Sequence, residues 1–158
     1  MALKKHGGFS LIELLIVVTI IGIIASIAVP NLLASRRAAN EGSAQSSMRT
    51  ISSCEATYRY TYGNGTYTDL ATLGNRTLTD QVLASGTKSG YNFTVNPVAG
   101  QPEFWAYALP TVTLGIGKTG TRRFAVTEDN ILRADTTLTA PANEAEINGS
   151  PGIPPLGN

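Results

Sequence analysis

From Phe9 to Val29 the chain runs for 21 residues with one charged side chain, Glu13. Wound as an α-helix at 1.5 Å per residue, such a run is about 31 Å long, which matches the hydrocarbon thickness of a bilayer. The segment can therefore span a membrane. Lys4, Lys5 and His6 stand just before it in a short Met1 to Gly8 stretch. Positive charge flanking a span tends to stay in the cytoplasm, so the sequence predicts an N-in orientation with Pro30 onward outside. Glu13 is the discordant element, because a carboxylate at a bilayer centre costs roughly 2.5 to 3.5 kcal/mol, and less near the edge where this one falls.

Three readings compete for this stretch. A secretory signal peptide would be removed after the apolar run, and Ser26-Ile27-Ala28 offers a small-x-small cleavage site. A plain membrane anchor accounts for the length and orientation. Neither has a use for Glu13. The third reading places processing before the apolar run, at the Gly7-Gly8/Phe9 junction, so that the greasy helix stays in the mature chain.

The ordered series Lys4-Lys5-His6-Gly7-Gly8-Phe9-Ser10-Leu11-Ile12-Glu13-Leu14-Leu15, closed by Ala28-Val29-Pro30, resembles the N-terminus of type IV pilins and of the pseudopilins of type II secretion. The resemblance covers about the first 30 residues. It implies that a prepilin peptidase cuts between Gly8 and Phe9 and that the new Phe9 amino group is N-methylated. It further implies that Glu13 pairs with the positive N-terminus of a neighbouring subunit, which favours one axial register, since a misplaced subunit leaves a carboxylate unpaired. Gly22 and Pro30 weaken the helix, by backbone entropy and by a missing backbone donor. In the family's filaments the helix between them can lose regular structure; in an isolated subunit a gentle kink is expected.

The total of 158 residues suits one ordinary domain beside such a segment. With 12 Lys+Arg against 11 Asp+Glu, the near-neutral net charge of +1 gives no bulk attraction for nucleic acid. One Cys excludes an internal disulfide, and one His with one Cys leaves no zinc pattern.

Beyond Pro30, Arg36 and Arg37 mark the outer end of the span or the start of a solvated helix. Ala44, Met48, Ile51, Tyr58 and Tyr62 recur at helical spacings, predicting an amphipathic helix that packs one stripe on a globular domain. Glu55 within the stripe is expected to pair with Arg59 at i,i+4, and Cys54 beside it to pack at a subunit contact. Gly63-Asn64-Gly65 is a helix stop. Residues 63–78 read as loop, and Leu78 to Ser85 as room for a short helical turn. Strand-like stretches follow at Gly90 to Asn96, Phe104 to Leu109, Arg122 to Thr127 and Ile131 to Ala134, separated by Pro97, Pro102, Pro110, Gly120 and an Asp129-Asn130 turn. They predict an antiparallel meander of about four strands. The last 19 residues, from Ala140, hold four Pro and three Gly and no basic side chain, and read as an extended surface tail.

The expected organisation is thus a cleaved leader (1–8), a membrane and assembly helix (9–30), an amphipathic second helical half (31–62), an αβ-loop (63–89), the sheet (90–139) and the tail (140–158). The fold class is α+β, a long helical spine on a small antiparallel sheet. No nucleophile with a base, phosphate loop or metal triad suggests an enzyme. No cofactor is expected; calcium enters only through the resemblance, because major pseudopilins use one near the C-terminus. Glu128, Asp129, Asp135, Glu144 and Glu146 are the available acids, but they lack a tight Asp/Asn-rich loop. Tyr58, Tyr60, Tyr62, Tyr67 and Phe104-Trp105-Ala106-Tyr107 are read as core aromatics rather than a stacking platform. Four N-x-Ser/Thr sequons, at Asn64, Asn75, Asn92 and Asn148, carry little meaning in a bacterial-type prepilin.

The leading expectation is a filament subunit that waits in the inner membrane and polymerises into an extracellular or periplasmic helical filament. Its implied partners are further copies of itself, the prepilin peptidase and methyltransferase, an inner-membrane platform protein and an assembly ATPase. The alternatives are a major pseudopilin of type II secretion and, from another class, a secreted or membrane-anchored binding module with a simple signal or tether.

Overall fold

The structure, a computed structural model, describes residues 8–149 and 152–157. Most of the leader, with Lys4, Lys5 and His6, lies outside the described residues, as do the expectations that fall on it. The chain divides into two compact units, Met1–Ser35 and Arg36–Asn158. Helix α1 (Leu11–Thr61) supplies residues to both. Among the described residues of the first unit, the large apolar side chains from Phe9 to Leu32 are exposed.

The second unit is α+β: the later part of α1 packs on a small antiparallel sheet, a pilin-like architecture. After α1 come α2 (Leu70–Asn75), α3 (Gln81–Ala84), strands β1 (Thr87–Lys88), β2 (Tyr91–Pro97), β3 (Phe104–Pro110), β4 (Arg123–Thr127) and β5 (Arg133–Asp135), then α4 (Glu144–Asn148). The strands pair in chain order, β1-β2-β3-β4-β5, all antiparallel. The meander has five strands because the two-residue β1, too short for a readable alternation, pairs Thr87 with Asn92 and Lys88 with Tyr91.

Period-two alternation sends Tyr91, Phe93 and Val95 of β2 and Phe104, Ala106 and Ala108 of β3 to the face that meets α1. The register sets Phe93 opposite Ala108 and Val95 opposite Ala106, so large groups lie beside small ones. Ala44, Met48, Ile51 and Cys54 complete this core from the helix. The predicted stripe holds through Ile51 and then fades: Tyr58 is half-buried, and Tyr62 is exposed because α1 ends at Thr61. At that end the Gly63 N–H donates to the Tyr58 carbonyl at 2.8 Å, and Gly65 N–H to the Arg59 carbonyl at 3.0 Å. A side chain at 63 would clash with the Thr66 carbonyl oxygen.

Three expectations require correction. The stretch read as loop contains α2, started by Asp69, whose Oδ1 accepts the Thr72 N–H at 2.7 Å. Six residues are too few for a periodicity to show. The C-terminal segment is not a loose extended tail, for Ile147 of α4 and Ile153 are buried against Ala125, with Trp105 and Tyr107 alongside. All five residues of β4 are buried as a result, one face by α1 and its core, the other by this segment. Third, Ile131 lies before β5 and is exposed, so the last strand starts at Arg133.

Candidate functional site

The N-terminal segment begins in extended form at Gly8, Phe9 and Ser10 and becomes helical at Leu11. The Ser10 N–H donates to Glu13 Oε2 at 2.9 Å, and the Leu14 N–H to the Ser10 carbonyl at 3.2 Å. Ser10-Leu11-Ile12-Glu13 thus uses one arm of a capping box, with the carboxylate serving an otherwise orphaned amide at the positive end of the helix dipole. The S-x-x-E spacing is a sequence signal for this cap, distinct from the charge argument that singles out Glu13 in the sequence. The same group that is discordant in an apolar run is therefore locally useful at its first turn.

Further along, polar side chains within the apolar part turn back onto their own helix. The Thr19 hydroxyl donates to the Leu15 carbonyl at 2.7 Å, the Ser26 hydroxyl to Ile23 at 2.8 Å and the Asn31 amide to Ile27 at 3.1 Å. Such bonds leave fewer polar atoms facing a non-aqueous surrounding. The helix continues through Gly22 and Pro30. Leu11, Ile12, Leu14, Leu15, Ile16, Val17 and Val18 are all exposed, and so tight a run covers every side of a helix. α1 is long and apolar enough to cross a membrane.

The remaining sequence candidates have structural roles. Glu55 does not pair with Arg59. It is fully buried, and its Oε2 accepts the Thr68 N–H at 3.1 Å, while Arg59 donates to the Gly65 carbonyl and the Tyr67 hydroxyl, both at 3.1 Å. Arg59 also lies over the Tyr67 ring, 5.3 Å from its centre, so the loop after α1 has claimed it. Burial pushes the Glu55 carboxyl up to about 8, with the Thr68 bond opposing and the Asp69 charge adding to the rise. Cys54 is a core residue rather than a contact residue: its thiol donates to the Leu78 carbonyl at 2.9 Å. Burial, then the charges of Glu55 and Asp80, raises that thiol above its ordinary value.

Of the five acids weighed for calcium, three are held by arginines. Arg123 spans the two Asp135 oxygens at 2.8 and 2.9 Å and reaches Glu146 at 3.0 Å, and Arg133 holds Asp129 at 2.6 Å. Among the described residues no group of three His, Cys, Asp or Glu side chains is placed to hold a metal. Of the aromatics, Tyr67 packs on Phe104 with ring centres 4.6 Å apart and Trp105 stacks with Tyr107 at 5.6 Å, whereas Tyr60 is exposed. Leu114 and Ile116, which no sequence motif singles out, are exposed in the β3–β4 loop. Two large apolar residues among Gly and Thr are their only signal.

The chain thus combines an apolar helical segment bearing a lone carboxylate at its first turn with a helix-on-sheet unit. Residues 3–29 match the family described as the prokaryotic N-terminal methylation motif. The chain is also 54% identical over 39 residues to the type IV wide pilus major component PilA4 of Thermus thermophilus, a stretch that covers 25% of this chain and 30% of that protein. No solved structure matches the chain significantly. Both matches are short, and what they show is similarity of a limited segment of this chain to a methylation-motif family and to a type IV pilus component. The motif marks the substrate of a modification rather than an enzyme.

Proposed function

We propose that this chain is a structural, non-enzymatic subunit of a type IV pilus-like filament. Prepilin peptidase cuts between Gly8 and Phe9, the Phe9 amine is methylated, and the subunit waits in the inner membrane with its N-terminus inside. An assembly ATPase and a membrane platform protein then move it into a growing helical filament of identical subunits at the cell surface.

The observation that carries this reading is an apolar helix exposed on all sides, with Glu13 as its one charge from Phe9 to Val29. In a bilayer those side chains face lipid; in a filament they face the same helix of other copies, so one surface serves both states. Glu13 Oε2 is occupied by the Ser10 amide, which leaves Oε1 for the Phe9 amine of a neighbour. Gly22 and Pro30 are where the helix can loosen on assembly. The matching relative is named a pilus major component, which favours a pilus over a secretion pseudopilus.

The test is Glu13→Ala in the full-length chain. Membrane insertion is expected to persist while filament yield collapses. Normal filament yield from this variant overturns the reading.

A further inference from the structure

The chain holds two Asn-Gly pairs, Asn64-Gly65 and Asn148-Gly149, and the fold treats them differently. An asparagine followed by glycine has a reaction open to it that needs only water. The glycine main-chain nitrogen attacks the asparagine Cγ and closes a five-membered succinimide. The side-chain nitrogen leaves as ammonia, carrying the proton that the main-chain nitrogen gives up. Water then adds to one of the two ring carbonyls and breaks its bond to the ring nitrogen, giving aspartate if that carbonyl is Cγ and isoaspartate if it is the main-chain carbon. One nitrogen is lost, one oxygen is gained and no oxidant or reductant takes part. Glycine suits the role because no side chain shields its nitrogen.

Both glycine amides are engaged by the helix before them: the Gly65 N–H donates to the Arg59 carbonyl at 3.0 Å, and the Gly149 N–H to the Ala145 carbonyl at 2.7 Å. The asparagine side chains separate the two pairs. The Asn148 amide donates to Glu144 Oε1 at 3.1 Å, and its Oδ1 accepts the Thr127 hydroxyl at 3.2 Å. Its Cγ is thus gripped from both sides, and Ile147 just before it is fully buried. Attack requires the main-chain nitrogen to line up on Cγ, so both grips and the Gly149 bond have to be given up together. Asn64 has no such grip among the described residues. It is exposed at a φ of 48°, a left-handed conformation that asparagine tolerates. It also lies just past Thr61, the last residue of α1, where a helix end frays, so losing the Gly65 bond is a local event.

We propose that Asn64 is a site of self-modification in the folded chain, losing ammonia to become aspartate and isoaspartate, while the fold protects Asn148. Either product places a carboxylate at the carbonyl end of α1, where the helix dipole disfavours it. Isoaspartate does more. It adds one carbon to the main chain between Gly63 and Gly65, so the two hydrogen bonds that close the helix, Gly63 to Tyr58 and Gly65 to Arg59, cannot both keep their spacing. The same loop carries Thr68 to Glu55, so the change loosens the join between α1 and the segment that follows it. The mark accumulates with the age of each molecule, and it does not depend on the filament reading.

The test is incubation of the full-length chain in detergent at pH 8, in water enriched in heavy oxygen, followed by peptide mapping by mass spectrometry. A urea-denatured sample is carried alongside. Ring opening puts one heavy oxygen atom into each modified residue, which separates reaction during the incubation from any earlier change. In urea the two pairs are expected to take up label at comparable rates, since only their shared dipeptide acts. In the folded chain Asn64 is expected to run several-fold ahead of Asn148, with both aspartate and isoaspartate at position 64. Equal labelling of the two sites in the folded chain, faster labelling at Asn148, or an unlabelled Asn64 over a period that labels the denatured chain overturns the proposal. A lead for Asn64 that persists unchanged in urea also overturns it, because the neighbouring sequence rather than the fold then sets the order.

Discussion

Glu55 of α1 and Thr68 of the following loop are joined inside the core, Glu55 Oε2 accepting the Thr68 N–H at 3.1 Å while the buried Oε1 has no partner among the described residues. A charged carboxylate with one oxygen unsatisfied is poorly suited to such a place, and a protonated one fits better. Burial is the main reason its pKa rises to about 8.

The consequence is a pH dependence opposite to that of most carboxylates. The folded chain holds this proton up to about pH 8, whereas the unfolded chain releases it near 4.3. The stability it gives is fully present below the unfolded value and is lost as pH rises through the folded one, with a limiting slope of about 1.4 kcal/mol per pH unit. Glu55→Gln keeps an acceptor for Thr68 and cannot ionise. Urea denaturation at pH 5, 6.5 and 8 should show the variant gaining on the wild type as pH rises. Parallel profiles would remove Glu55 as the cause.

Glu41 behaves in the other direction. Burial works to raise its pKa, but bonds from the Thr121 hydroxyl and amide and from Arg122 outweigh this and hold it below the usual carboxylate range. Its contribution is present above the unfolded pKa and disappears as pH falls through the lower folded value. Glu41→Gln should therefore destabilise the chain at neutral pH, by about 1 to 3 kcal/mol, and flatten the acid side of the stability profile below about pH 4.5. An unchanged acid limb in the variant contradicts this assignment.

Arg123 is 3% exposed and is shared by Asp135, Glu146 and the Thr139 carbonyl, the last at 2.9 Å. It clamps the C-terminal segment to β4 and β5. Removing Arg123 takes charged hydrogen bonds from Asp135 and Glu146, which are partly exposed, and costs about 1 to 3 kcal/mol. Arg123→Ala should lower the denaturation midpoint and expose the chain beyond Asp135 to limited proteolysis before the rest of the fold. Cleavage at wild-type rates there would mean that Ile147 and Ile153 hold the segment unaided.

These groups mark how far the fold was legible in the sequence. β2 and β3 can be read because Tyr91, Phe93 and Val95, and Phe104, Ala106 and Ala108, alternate in seven-residue stretches that each end in a proline. The stripe of Ala44, Met48 and Ile51 declares its helix in the same way. Ile147 and Ile153 give no such signal: two separated apolar residues in a Pro/Gly-rich stretch are buried only because β4 has a second face to cover. Glu55 sat at a correct spacing for Arg59, yet a loop carbonyl and the Tyr67 ring were stronger partners for that arginine. At the N-terminus, Glu13 stood out because it is the lone charge among 21 residues, whereas its cap on Ser10 is a geometric fact that a membrane argument does not require.

The central claim is that the apolar helix remains in the mature chain, with processing in front of it. Mass spectrometry of the mature N-terminus, on protein taken from membranes and from filaments, tests this most directly. The expected product is a chain that begins at Phe9 and carries one methyl group on its amine. A chain that begins at Val29, or one that keeps Met1, contradicts it.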